Sequence, residues 1–174
     1  KRQGIVMKGN TVKHSAVILS EVMQPQQANI AGNIHGGVIM KLIDNAAGVV
    51  CFKHAHTNVV TASIDRLSFH NPVFIGDIIT LKASLNMVGT ASMEVGVRVE
   101  TENLLTGEVK HVASAYLTFV ALDETGKPTK VPPLVFETDE ERRRNEEALD
   151  RKRIRALERI KEEEHQQAAK TVQT

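Results

Sequence analysis

Residues 36–54, GGVIMKLIDNAAGVVCFKH, decide most of what this chain can fold into. The run is apolar almost all round, too long for a strand, and opens on two glycines. A helix that is apolar over most of its circumference must be covered on several sides, so it belongs at the centre of a domain. The remainder of the chain supplies the cover. Residues 11–23 are rich in β-branched types and stop before Pro25, which reads as a strand. Residues 24–35 are small and polar, with Pro25, Asn29, Gly32 and Asn33, and read as a loop. Four strand-like runs follow at 58–69, 77–88, 92–103 and 109–122. Their breaks carry turn chemistry at Asn71-Pro72, Gly76-Asp77, Gly89 and Thr106-Gly107. The last breaks are short, which points to antiparallel neighbours. Strand, long buried helix and four strands make an α+β layout: a sheet with one central helix lying on it.

The chain has 174 residues, enough for one domain plus a tail, and 41% of them are hydrophobic. Lys and Arg total 22 against 21 for Asp and Glu, a net charge of +1 that gives no general affinity for nucleic acid or an anionic membrane. Cys51 is the only cysteine, so no intrachain disulfide forms and an oxidising compartment is not indicated. Residues 1–10 hold no apolar leader core, and no run of apolar residues is long enough to span a bilayer. A soluble, cytoplasmic protein is expected.

Beyond Gly126 the character changes. Residues 127–136 read as a Pro-containing linker and 137–174 as a charged helical tail, with 20 charged residues among the 28 from Glu137 to Glu164. Thr138 or Asp139 suits the cap, and opposite charges recur at helical spacing. The apolar stripe of Leu149, Ala156, Leu157 and Ile160 is narrow. That favours a solvated helix over an oligomerisation arm, and removal of residues from about Glu146 onward is expected to leave activity in place.

The segment Asn33-Ile34-His35-Gly36-Gly37 leads into the long helix. Two glycines at a helix start are ordinary turn residues, but they also allow close approach to free N–H groups at the positive end of the helix dipole. Such a place suits a polarised carbonyl or an oxyanion. Further on, Lys41, Asp44, Asn45 and Gly48 form one polar stripe on the helix. Asp44 is either a solvent-facing partner of Lys41 or a carboxylate in a partly dry cleft, poised as base or nucleophile. Gly37 and Asp44 are seven residues apart, roughly 10 Å along the axis, so one reacting carbonyl cannot touch both in a single chain. If both act on one substrate, Asp44 comes from a second copy of the helix, and a two-fold dimer provides that twice. His35 is either a cap or a wall of the site. His54 and His56 lack further ligands at metal spacing, and Cys51 lies among apolar residues and reads as core. No nucleophile elbow, CxxC pair or P-loop is present.

At AGNIHGGVIMKLIDNAAG (31–48) the sequence resembles the acyl-CoA thioesterase branch of the hotdog superfamily, which includes the brain-type acyl-CoA hydrolases and small bacterial acyl-CoA thioesterases. Further similarity runs through VVTASIDRLSFHNPVFIGDIITLKASL (59–85), SMEVGVRVE (92–100), ASAYLTFV (113–120) and VPPLVFETDEERRR (131–144). The resemblance covers about residues 11–145 and implies a hotdog domain over 11–126, with an antiparallel sheet of about five strands around the helix. It implies hydrolysis of acyl-CoA to free acid and CoA without metal or organic cofactor, by homodimers that often assemble as trimers of dimers. The implied catalytic set is Asn33, Asp44 from the partner and the Gly37 backbone N–H. His35, Gly36, Val60, Thr61, Gly89, Thr90 and Ser92 are the implied substrate neighbours. Arg66, Lys82 and Arg98 are candidates for the CoA phosphates. Rival readings are a hotdog acyl-thioester dehydratase or hydratase using His35 and Asp44, and a non-catalytic acyl-CoA sensor. A sensor of that kind carries a DNA-binding segment ahead of its domain, for which the ten residues before Thr11 leave no room.

Overall fold

The structure, a computed structural model, describes residues 7–65 and 67–172; Arg66 lies outside them. The expected long helix is a single continuous element, α2 (Gly36–Ala55), preceded by β1 (Asn10–Thr11), α1 (Val12–Ser15) and β2 (Val17–Val22). After it come β3 (Asn58–Ile64), β4 (Ser68–Phe69), β5 (Ile78–Val88), β6 (Ser92–Glu102), β7 (Val109–Leu122), β8 (Leu134–Val135) and α3 (Asp139–Val172). The main sheet is antiparallel in the order β2-β5-β6-β7-β3, with β4 also paired to β7. It packs one face on α2, which is the hotdog arrangement.

Alternation sets the two faces of the sheet. Ile79, Leu81, Ala83 and Leu85 on β5, with Val95, Val97 and Val99 on β6, are buried and join the cluster that receives α2. On α2 itself the buried residues are Ile39, Ile43, Ala46, Ala47, Val50, Cys51 and His54, one face at helical spacing. The opposite side does not follow the all-round burial expected. Met40, Val49 and Phe52 are 40–49% exposed, so within one chain the helix is covered on one side only.

The strand expected over 11–23 is interrupted. Val12–Ser15 makes a helical turn with Val12 and Ser15 buried, and β2 starts only at Val17. The cause is a distant pairing: β1 runs parallel to β8, so the chain must turn before it reaches the edge of β5. The 127–136 segment is likewise docked. Val131 is buried, and the Pro132 carbonyl lies 2.8 Å from Nε2 of the buried His54.

The largest correction concerns the tail. Thr138 caps α3 reciprocally with Glu141: the Glu141 N–H donates to Thr138 Oγ1 and the Thr138 N–H to Glu141 Oε2, both at 3.2 Å. From there the first half of α3 lies across the outer face of the sheet. Ala148 is fully buried, Asn145 Nδ2 donates to the Asn86 carbonyl at 3.0 Å, and Arg151 Nη2 donates to the fully buried Glu94 at 2.7 Å. Docking through ion pairs leaves no wide apolar stripe to read. Truncation from Glu146 onward would strip both Arg151 and Arg155 from Glu94 together with the helix that covers it, so the charge-assisted bonds and the burial of Ala148 and of the outer sheet face are lost at once. A chain ending at Asn145 is therefore expected to lose a large part of its stability, seen as a lower urea midpoint, rather than to behave as the intact domain.

His54 makes a second testable statement. Burial is the main influence holding its imidazole below the usual histidine range, and its Nδ1 is buried without a partner among the described residues. The folded protein thus resists a proton that the unfolded chain accepts. Stability is full above the ordinary value of 6.5 and falls as pH drops below it. The urea midpoint should decline between pH 7.5 and 5.5, and His54→Gln should flatten that decline.

Candidate active site

The loop before α2 is organised by Asn29. Its Oδ1 accepts the N–H of Ala31 at 2.9 Å and of Asn33 at 3.3 Å, while its own backbone N–H donates to the Asn33 carbonyl at 2.7 Å. Ile34 is buried and donates its N–H to Val73, and Asn33 forms a bridge with Phe74, so the loop is anchored to the segment before β5. The Asn33 side chain itself is half-buried and makes no hydrogen bond within the described residues. Sequence reasoning singled out Asn33 for its place beside His35-Gly36-Gly37 and passed over Asn29. The available signal was an Asn two residues ahead of an Ala-Gly turn, a place where its carboxamide oxygen can bond backbone two residues on.

His35 caps the helix. Its Nδ1 accepts the Gly37 N–H at a long 3.4 Å, and its carbonyl accepts from Val38 at 2.9 Å. The Gly36 N–H has no partner among the described residues, and the Gly37 N–H has only that long one. A Cβ on Gly36 would come 3.7 Å from Phe69, and one on Gly37 3.6 Å from His35 Nδ1. These are ordinary contacts, so nothing inside one chain demands glycine at either position.

Two turns along α2, Asp44 is half-buried. Thr61 Oγ1 on β3 donates to its Oδ1 at 2.7 Å, and the ion pair with Lys41 is not formed. Thr61 was expected as a neighbour of the CoA arm; here it orients the carboxylate and leaves the second oxygen open. β3 is an edge strand, and Val60 and Ile64 on it are 41% exposed. Asp44 thus sits between the uncovered side of α2 and an unpaired sheet edge, well separated from the glycines of its own chain.

The other expected neighbours divide. Val60 pairs with Val120, and Val120 with Ser92, so Val60 and Ser92 lie in one row about 10 Å apart, on the face opposite Thr61. Gly89 and Thr90 line a separate cavity of about 490 Å³ with Val131, Leu134, Phe136 and Leu149. Lys82 and Arg98 both pair with Glu100 on the outer face. Cys51 is buried and its thiol is pushed far up by desolvation, as befits a core residue. Among the described residues no group of three or more His, Cys, Asp or Glu could hold a metal ion, and no helix is long and apolar enough to cross a membrane.

Residues 31–108 match the model of the thioesterase superfamily. An uncharacterized acyl-CoA thioester hydrolase of Bacillus subtilis is 39% identical over 90% of this chain and 88% of its own length. A cytosolic acyl coenzyme A thioester hydrolase of Rattus norvegicus is 40% identical over 82% of this chain, which spans only 38% of that protein. Among solved structures, a hexameric acyl-CoA thioesterase superposes with a TM-score of 0.84 at 39% identity, covering 87% of this chain and 97% of that one. The acyl-CoA hydrolase of Staphylococcus aureus, solved with butyryl-CoA and CoA, gives 0.82 at 35% identity over 89% and 94%. It has also been solved with alanine replacing an asparagine, an aspartate fifteen residues later, and a threonine seventeen residues after that.

The room around the glycines yields an expectation for folding. Gly36→Ala and Gly37→Ala should each fold with unchanged or higher stability, by up to about 1 kcal/mol, because alanine loses less chain entropy in a helix. Chemical denaturation of the two variants checks this.

Proposed function

The chain belongs to the thioesterase superfamily, among the acyl-CoA thioester hydrolases, and from that premise we propose that it hydrolyses acyl-CoA to the free carboxylic acid and CoA at a site shared by two copies. The observation that carries the proposal is the placement of Asp44. Its carboxylate is gripped by Thr61 beside an unpaired edge strand, seven residues from the donors at the start of its own helix. Only a second α2, antiparallel to the first, brings an Asp44 to those donors.

In the proposed reaction the thioester carbonyl sits at the start of α2. The N–H groups of Gly36 and Gly37 face the oxygen as it gains negative charge, helped by the dipole of a twenty-residue helix. Asp44 of the other copy takes a proton from water, which attacks the carbonyl carbon; the carbon–sulfur bond breaks, and CoA leaves as thiol once the sulfur is protonated. Direct attack by Asp44 through an anhydride is the alternative route with the same residues. Either route requires only water besides the substrate, so no cofactor is invoked. An asparagine completes the set by orienting the water or the carbonyl. Asn33 was the first candidate; Asn29 is the stronger, because Asn29, Asp44 and Thr61 repeat the spacings of fifteen and seventeen residues of the three altered positions in the S. aureus hydrolase. Residues 11–126 would be the catalytic unit with α3 docked on it, working in the cytoplasm as the name of the rat relative suggests, and assembling as a trimer of dimers, a reading supported by a hexameric neighbour.

Thiol release from short to long acyl-CoAs tests the activity, and wild-type protein inert on all of them would end the proposal. Asp44→Asn should lower kcat at least about 100-fold with folding intact. Asn29→Ala should lower kcat more than Asn33→Ala does, measured on the same substrate. The shared site has its own assay: equal amounts of Asn29→Ala and Asp44→Ala chains, exchanged at random, give one intact site in each mixed dimer and should recover about a quarter of wild-type activity.

A further inference from the structure

Outside the site, the most enclosed carboxylate among the described residues lies where α3 crosses the outer face of the sheet. Glu94 of β6 is fully buried. Arg151 donates to its Oε1 from Nε at 3.1 Å and from Nη2 at 2.7 Å, and stacks its guanidinium 3.7 Å from the centre of the Tyr116 ring. Arg155 donates to Glu94 Oε2 at 3.2 Å, and the same Nη1 makes a short bond to Asp65 Oδ2. Two arginines and two carboxylates balance, with Asn86 adding a 3.4 Å contact to Glu94.

The two arginines differ in reach. Arg151 satisfies Glu94 and goes no further; Arg155 passes over Glu94 to the residue that follows β3. Asp65 is four residues beyond Thr61, and its N–H donates to the Tyr116 carbonyl at 2.9 Å. β3 needs such a hold. It is an edge strand with β7 as its only neighbour among the described residues, and its register shifts between Thr61 and Ser63. One side chain grips it from the inner face, where Thr61 meets Asp44, and one from the outer face, where Asp65 meets Arg155.

We propose that Arg155 is a positioning residue for the shared site: by tying Asp65 to Glu94 it fixes the edge strand β3, and with it the Thr61–Asp44 pair, relative to the groups a second copy presents. The inference rests on the thioesterase reading for its kinetic consequence, but its structural part stands apart from it. Arg151 supplies the control, because its loss weakens the docking of α3 without releasing Asp65.

The test compares Arg155→Met, Asp65→Asn and Arg151→Met in the full chain by urea midpoint, by kcat and KM on an acyl-CoA, and by hydrogen exchange of backbone amides. Arg155→Met and Asp65→Asn should lower kcat about tenfold or more with KM changed less than about twofold, and should speed exchange at residues 61–65 while β5 and β6 stay protected. Arg151→Met should lower the midpoint at least as much yet keep kcat within about twofold. The proposal is overturned if Arg155→Met keeps wild-type kcat, or if Arg151→Met loses as much kcat as Arg155→Met. Should Arg155→Met fail to fold, Asp65→Asn decides alone. If wild-type protein hydrolyses no acyl-CoA, the functional reading falls, and exchange confined to residues 61–65 or spread evenly still separates a clamp on β3 from a general prop.

Discussion

Everything in this fold is arranged around the need to cover α2. Its twenty residues carry too much apolar surface for one sheet to bury, so β5, β6 and β7 take the face of Ile39, Ile43, Ala46, Ala47 and Val50 while Met40, Val49 and Phe52 stay in the open. An exposed apolar helix face beside a free strand edge is costly in water, and edge-to-edge pairing of two copies would remove both at once. The same half-covered helix carries Asp44 on its uncovered side. On the proposed reading, the chemistry and the association surface therefore share one helix face.

Each chain holds its carboxylate apart from its own helix-start donors. The start of α2 offers backbone donors and a positive dipole end, which would stabilise Asp44 as an anion were it adjacent. Placed two turns along and hydrogen-bonded by Thr61, Asp44 stays free of those donors in its own chain. His35 occupies the long contact to Gly37 in the meantime. At 3.4 Å that contact is weak enough for a better acceptor to displace it.

Much of this was legible in the sequence because it rests on local patterns. The helix shows in unbroken apolar periodicity after Gly36-Gly37, and the long strands in alternation such as Met93, Val95, Val97 and Val99. What escaped depends on partners far away in the chain. The break at Val12–Ser15 follows from a parallel pairing of Asn10 with Leu134, which no window of residues contains. The docking of α3 escaped because its sheet-facing side is built from arginines, and charged residues on a helix read as solvated. Its counterpart Glu94 stands at an outward position of an alternating strand, where a carboxylate looks ordinary. Asn29 escaped for a different reason: its contacts within the chain shape a turn, and its place four residues ahead of Asn33 sets it apart from the glycines.

The burial of Glu94 has a consequence for how the chain is made. When β5, β6 and β7 emerge from the ribosome, the helix that covers their outer face is still unsynthesised, since Arg151 and Arg155 lie some thirty residues beyond β7. An apolar residue in place of Glu94 would leave a sticky patch on the nascent sheet for all of that interval. A carboxylate keeps the unfinished face wetted and disfavours premature association with other chains. Two arginines then seal it once α3 arrives, so the charge that looks expensive in the finished molecule acts as a temporary guard during its synthesis.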